Sequence, residues 1–212
     1  MTLFHDWQEE IKPLLKKYKG KKHPLDYKNL YQVVIMVILS AQDSDANINK
    51  IAPLLFENFP NMESLAVSNV ESLMQYITKV RNYVTKANWI IEIARTLKTD
   101  DNIPKSMEQL LVLKGIGRKS ANVIIREAGI NAQGILVDLH VIRVAPRIGL
   151  ASESNDGNKI EKQLMQIFTQ DIWGEIGMAI SFLGREICRP TNPKCGDCPV
   201  SAVCFYYNSK AK

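Results

Sequence analysis

The stretch Leu113-Lys114-Gly115-Ile116-Gly117-Arg118-Lys119-Ser120-Ala121-Asn122-Val123-Ile124-Ile125 decides how this chain is read. It lies between two segments of helical periodicity, so it reads as a tight corner joining two helices. Gly115 and Gly117 permit positive φ and close approach of the backbone. Ile116 between them is expected to plug into the helix pair and fix the turn. The helix that follows points its free N–H groups at whatever fills the corner, and an anion such as a phosphate suits them. Two decoys fail. A Walker loop needs Gly directly before the Lys, where Arg118 stands. A Rossmann fingerprint needs a preceding strand and a third Gly, where a helix and Ser120 are found. A corner whose glycines merely allow a sharp turn is the plain alternative.

Outward from the corner, the pattern is helical almost throughout. Apolar residues recur at three- and four-residue steps through Trp7–Tyr18, Tyr27–Leu39, Ile48–Phe59, Val70–Ile77, Ala87–Leu97, Met107–Leu113, Ala121–Ala128, Val141–Ile148, Ile160–Phe168 and Ile176–Ile187. Ser106 with Gln109 predicts a capping box at the start of the Met107 helix. Ile135–Val137 is a candidate short extended piece. Many short helices with short connections predict an all-α fold. With 212 residues the chain can bury a real core, and its net charge of +5 permits nucleic-acid binding without requiring it. The lysines between Lys16 and Lys22 read as a solvated helix end and linker. The longest apolar run, Val33–Leu39, is too short to span a bilayer. Met1–Gly20 is amphipathic and charged, with no leader-like apolar core, so a cytoplasmic or nucleoid-associated protein is expected.

Four cysteines, Cys188, Cys195, Cys198 and Cys204, crowd the C-terminal region in CRPTNPKCGDCPVSAVC. Thiolates this close in sequence are expected to converge on one inorganic centre. Two disulfides would need an oxidising compartment. A structural zinc takes four thiolates, but here only Cys195–Cys198 makes a CxxC knuckle. A cubane iron–sulfur cluster also takes four thiolates and tolerates wider gaps. Spacing favours the cluster and leaves zinc open. Pro190, Pro193 and Pro199 fit a rigid ligand loop.

Two further residues carry candidate chemistry. Lys119 falls in the first turn of the helix after the corner, where the positive helix end disfavours a cation and so favours a nucleophilic free amine. An ordinary surface lysine is the alternative. Asp138 ends an apolar run and fits a helix N-cap. A cap of this kind could leave one carboxylate oxygen free to stabilise positive charge on a sugar or to move a proton.

Taken together, LSAQDSDANINK at Leu39–Lys50, LKGIGRKSANVI, VDLHVIRV and the C-x6-C-x2-C-x5-C spacing resemble, in order, the endonuclease III family of helix-hairpin-helix DNA glycosylases, iron–sulfur type. The resemblance spans nearly the whole chain. It implies an all-α fold of two helical domains flanking a DNA-binding cleft. One would be a six-helix barrel with the hairpin over residues 22–133; the other would join 1–21 to 134–212 and carry a [4Fe–4S] cluster on Cys188, Cys195, Cys198 and Cys204. It implies a base-excision enzyme that removes damaged bases, with oxidised pyrimidines the expected class, and cleaves the strand by β-elimination. Lys119 would be the Schiff-base nucleophile and Asp138 the essential carboxylate. Gln42 would fill the gap left by an extruded base, and Gly115 and Gly117 would hold a phosphate. Ser120 and His140 would lie near the damaged base, and Arg189 and Lys194 would touch the DNA backbone. The partner is duplex DNA with damaged bases or abasic sites, acted on by a monomer and without a membrane.

The chain departs from the family pattern at Leu139, where Thr is usual. It departs again at Val80-Arg81-Asn82-Tyr83, where the family offers Gly followed by an apolar wedge. The second departure keeps in view a glycosylase for mismatched or alkylated bases. A second rival is a non-catalytic DNA clamp, with the hairpin gripping phosphate and Lys119 as a counter-charge. A zinc-stabilised helical protein without DNA is a third.

Overall fold

The computed structural model describes residues 6–210, and among these there is no β-strand. The chain divides into two compact units, His23–Ile130 and a second made of residues up to Lys22 joined to those from Asn131 onward.

The His23–Ile130 unit is built from α3 (Leu30–Leu39), α4 (Asp45–Asn58), α5 (Met62–Ala66), α6 (Val70–Ile77), α7 (Tyr83–Leu97), α8 (Met107–Val112) and α9 (Arg118–Glu127); the discontinuous unit supplies α1 (Trp7–Glu10) and α2 (Lys12–Tyr18) before them. Every residue of α3 from Tyr31 to Leu39 is buried. Its run of β-branched residues suits a strand by local propensity. Packing overrides that, because α4, α7 and α9 surround it and only a helix satisfies its own backbone groups in such a setting. Short polar side chains set the helix starts. Asn29, Ser44, Asn61, Asn69 and Ser106 each accept a hydrogen bond from an amide in the first turn. At Ser106 the cap forms as predicted, but the Gln109 carboxamide oxygen accepts from the Ser106 hydroxyl at 3.1 Å. α8 and α9 pack against each other to form the hairpin.

In the discontinuous unit, α10 (Leu139–Ile148), α11 (Gly157–Ile167), α12 (Gln170–Glu186) and α13 (Phe205–Lys210) follow the N-terminal pair. The helix expected over Trp7–Tyr18 is broken at Ile11, because Pro13 lacks the N–H that a continuous helix needs and instead sits in the first turn of α2. α12 is the core helix, buried from Ile176 to Gly184 and packed on α2 and α10. Ile135–Val137 is buried but forms no strand pairing. Its backbone crosses α12 at Gly177, where a Cβ would come within 2.4 Å of the Leu136 carbonyl oxygen. Gly184 does the same for α10: a Cβ there would meet the His140 Cβ at 2.9 Å. Two missing side chains on one helix thus set the height at which residues 135–144 lie.

Candidate functional site

The corner between α8 and α9 closes with the Ile116 N–H donating to the Leu113 carbonyl at 3.2 Å. Ile116 is buried, as its position between the glycines predicts. The two glycines do different work. Gly115 has φ of +79°, and a Cβ there would lie 2.5 Å from Cε3 of Trp89, so both backbone and neighbour exclude a side chain. Gly117 instead has φ of −97° and ψ of 177°, extended geometry open to any residue, so the positive φ that glycine permits is used at Gly115 alone of the two. A Cβ on Gly117 would meet nothing within 4 Å. Gly117 is also the N-cap of α9, and no side chain caps its amides. The absence of a side chain therefore leaves the approach to those amides clear.

Lys119 stands exposed in that first turn, and Ser120 beside it is half-buried. The position of Lys119 in the first turn, and not burial, is what sets it apart. No local motif marks His23, whose Nδ1 accepts from the Leu25 N–H at 3.1 Å. Burial holds this imidazole down at about 4; Asp45 and Glu127 oppose the shift, while Lys119 and Arg126 reinforce it. The neighbourhood of Lys119 thus includes a neutral ring. Gln42 is exposed, with φ of +59°.

Asp138 caps α10, as its sequence context predicts. One carboxylate oxygen accepts from the His140 and Val141 amides, both at 2.9 Å. The other is not left open: it accepts the Ser181 hydroxyl at 2.6 Å and lies 3.8 Å from an Arg185 nitrogen. The residue is 8% exposed. Ser181 lies between Gly177 and Gly184 on α12, so the helix that admits the 135–144 segment also pins its carboxylate. His140 Nδ1 is 3.3 Å from the Arg143 guanidinium.

All four cysteines line one cavity, together with Pro193 and Tyr206. Burial pushes the Cys198 thiol up to about 11, with charge on Cys204, Cys188 and Cys195 adding to it against a hydrogen bond from Val200. Burial likewise raises Cys204. Four thiols gathered where their thiolates repel one another fit a cationic centre that would offset that repulsion. Among the described residues no three His, Cys, Asp or Glu side chains are arranged around a single metal ion. Arg147, which sequence reasoning missed, knots the start of this loop. Its guanidinium donates to the Arg189 carbonyl at 2.8 Å and to the Pro190 carbonyl at 3.2 Å, 3.8 Å from the Cys188 sulfur. The Lys194 N–H closes the loop onto the Ile187 carbonyl at 3.0 Å, leaving Arg189 and Lys194 exposed.

The structure thus gathers the four cysteines, and groups Asp138 and His140 at one helix start. Gln42, Gly115, Gly117, Lys119 and Ser120 belong to the His23–Ile130 unit, and Asp138, His140, Arg189, Lys194 and the cysteines to the other. An all-helical fold whose α8–α9 corner ends in an open helix start defines the helix-hairpin-helix class. The HhH-GPD superfamily base excision DNA repair protein model matches residues 35–170. Endonuclease III of Synechocystis sp. is 35% identical over 198 residues, 92% of this chain and 90% of that protein. Endonuclease III of Thermotoga maritima is 33% identical over 196 residues, 91% of each. A solved endonuclease III–DNA covalent intermediate superposes with a TM-score of 0.86 at 29% identity, covering 99% of this chain and 100% of that one. The chain belongs to the HhH-GPD superfamily of base excision DNA repair proteins.

Proposed function

We propose that this protein is a DNA N-glycosylase with abasic-site lyase activity, removing damaged bases from duplex DNA, with oxidised pyrimidines as the expected class. The observation that carries the reading is the exposed Lys119 at the uncapped start of α9, in a chain so similar to endonuclease III.

The duplex is bent and the damaged nucleotide extruded, at an unstacking cost of about a few kcal/mol. Amides at the start of α9, with Gly115 and Gly117 giving the backbone close approach, hold a phosphate near the lesion. Lys119 in its uncharged form attacks the sugar C1′, and the base leaves. The resulting Schiff base acidifies the adjacent sugar hydrogen, and the strand breaks on the 3′ side by β-elimination. Asp138 stabilises the cationic sugar. Its oxygens accept from two amides and a hydroxyl, which hold the carboxylate in one orientation. Ser120 and His140 are placed near the damaged base, and Gln42 in the gap it leaves. Arg189 and Lys194 contact the DNA backbone. Cys188, Cys195, Cys198 and Cys204 would hold a [4Fe–4S] cluster, which when bound supplies a structural centre for the loop bearing Arg189 and Lys194.

Borohydride should trap a covalent protein–DNA adduct on abasic or damaged duplex, and Lys119→Ala should abolish it. A Lys119→Ala protein that still traps in full assigns the nucleophile elsewhere. A wild-type protein that binds abasic duplex without nicking or trapping is a clamp and not an enzyme.

A further inference from the structure

Two turns of the His23–Ile130 unit carry non-glycine residues in the left-handed region, Gln42 at φ +59° and Asn82 at φ +58°. Such backbone is costly unless its surroundings hold it in place, and it concentrates at sites of function. Here two buried or half-buried charges hold it. Lys86, 2% exposed, spends its ammonium on the C-terminal end of α3, donating to the Leu39 and Ala41 carbonyls at 2.7 Å each. Leu39 ends α3 and Ala41 immediately precedes Gln42. Asp43, immediately after Gln42, bridges to the other turn: one oxygen accepts the Arg81 N–H at 2.9 Å, and the other accepts from the Ser44 N–H at 2.8 Å and the Asn47 amide at 3.0 Å. Asn47 completes the bridge by donating to the Lys79 carbonyl at 3.1 Å. Gln42 and Asn82 are each one residue from the Asp43–Arg81 bond, and both are exposed. Asn82 caps none of the α7 amides with its side chain.

Charge supports the same arrangement. Burial pushes the Asp43 carboxyl up, and the bonds from Arg81, Asn47 and Ser44 more than offset it, leaving the carboxyl below its ordinary range. Burial lowers Lys86, and Asp43 acts against that shift.

We propose that Asp43 and Lys86 are positioning residues that lock the 40–43 and 79–83 turns together and present the Gln42 and Asn82 carboxamides as one hydrogen-bonding tip entering duplex DNA at the lesion. The proposal rests on the DNA-repair reading above. Carboxamides carry both donors and acceptors, so a paired tip suits the polar edge of the base left opposite an extruded nucleotide. Its polarity accounts for Arg81 and Asn82 at a place where the family pattern has an apolar wedge.

The test uses full-length protein and duplex DNA carrying a stable tetrahydrofuran abasic analogue opposite 2-aminopurine, whose fluorescence rises when it is unstacked. Wild type is expected to raise the signal. Asp43→Ala should lose most of the rise and weaken duplex binding about tenfold, as expected for loss of hydrogen bonds to a charged group. Asp43→Asn, which keeps an acceptor, should recover more than half. The double substitution Gln42→Ala/Asn82→Ala should cost little more in the Asp43→Ala background than Asp43→Ala alone. Lys86→Met should match Asp43→Ala where it folds, and Asp43→Ala carries the test where it does not. Wild-type signal and affinity in Asp43→Ala, or fully additive losses, overturn the proposal. So does a wild-type protein that gives no rise. A rise that depends on Asp43 in a protein that never traps with borohydride supports the tip and defeats the enzymatic reading. Trapping with an Asp43-independent rise does the reverse.

Discussion

The starts of α9 and α10 present the same electrostatic problem with opposite solutions. Each carries first-turn amides that the helix itself cannot bond, and a partial positive charge. At α10 the protein supplies the anion itself: Asp138 accepts from two amides and is pinned from behind by Ser181. At α9 it supplies none, since Gly117 brings no side chain and leaves open space. An anion from outside suits the open end, and the closed end holds a carboxylate in fixed position. A glycine and an aspartate at equivalent helix positions thus shape their helix starts oppositely, one by leaving space and one by supplying charge.

Removing charge while keeping the cap breaks the comparison most severely. Asp138→Asn retains an acceptor for the α10 amides, so stability should change by less than about 1 kcal/mol. Single-turnover base excision should nonetheless fall by about 100-fold or more, while binding to abasic duplex persists. Next in size is Gly115→Ala. A Cβ at 2.5 Å from Trp89, on a residue at φ +79°, should cost about 2 kcal/mol in chemical denaturation. Gly117→Asp sharpens the comparison by making the α9 start resemble that of α10. Its extended backbone accepts the substitution, so stability should rise by a few tenths of a kcal/mol. Duplex affinity should drop about tenfold, because the new carboxylate takes the amides and repels phosphate. Smallest at neutral pH is His23→Gln. In the folded state the imidazole is held at about 4 against an ordinary 6.5, so as pH falls the unfolded chain takes up the proton first. The wild type should lose this contribution to stability progressively between pH 6.5 and about 4, and the variant should show a flatter acid limb in urea melts.

Much of this was legible in the sequence. The Val70–Ile77 helix appears with its predicted ends, the Trp7–Tyr18 helix appears as two, and the other predicted helices appear with shifted ends. α5 was missed because five residues with two buried apolar side chains make too little periodicity to detect, although Asn61 was available as a capping signal. Asp138 was readable as a cap because capping is local. Its second partner, Ser181, lies 43 residues away and follows only from how Gly177 and Gly184 let the backbone approach α12. Lys86 is equally silent in sequence: nothing local distinguishes it from a surface lysine, and only packing shows that it ends α3. At Gly117 the positive φ that glycine permits is not used, and what the missing side chain leaves is open space.

On the proposed function, Lys119 forms the covalent bond to deoxyribose. The direct measurement is tryptic digestion and mass spectrometry of the borohydride-trapped complex on abasic duplex. The reduced sugar adduct is expected on the peptide containing Lys119 and at that residue alone. An adduct on Lys114, on the N-terminal amine or spread over several surface lysines would contradict it.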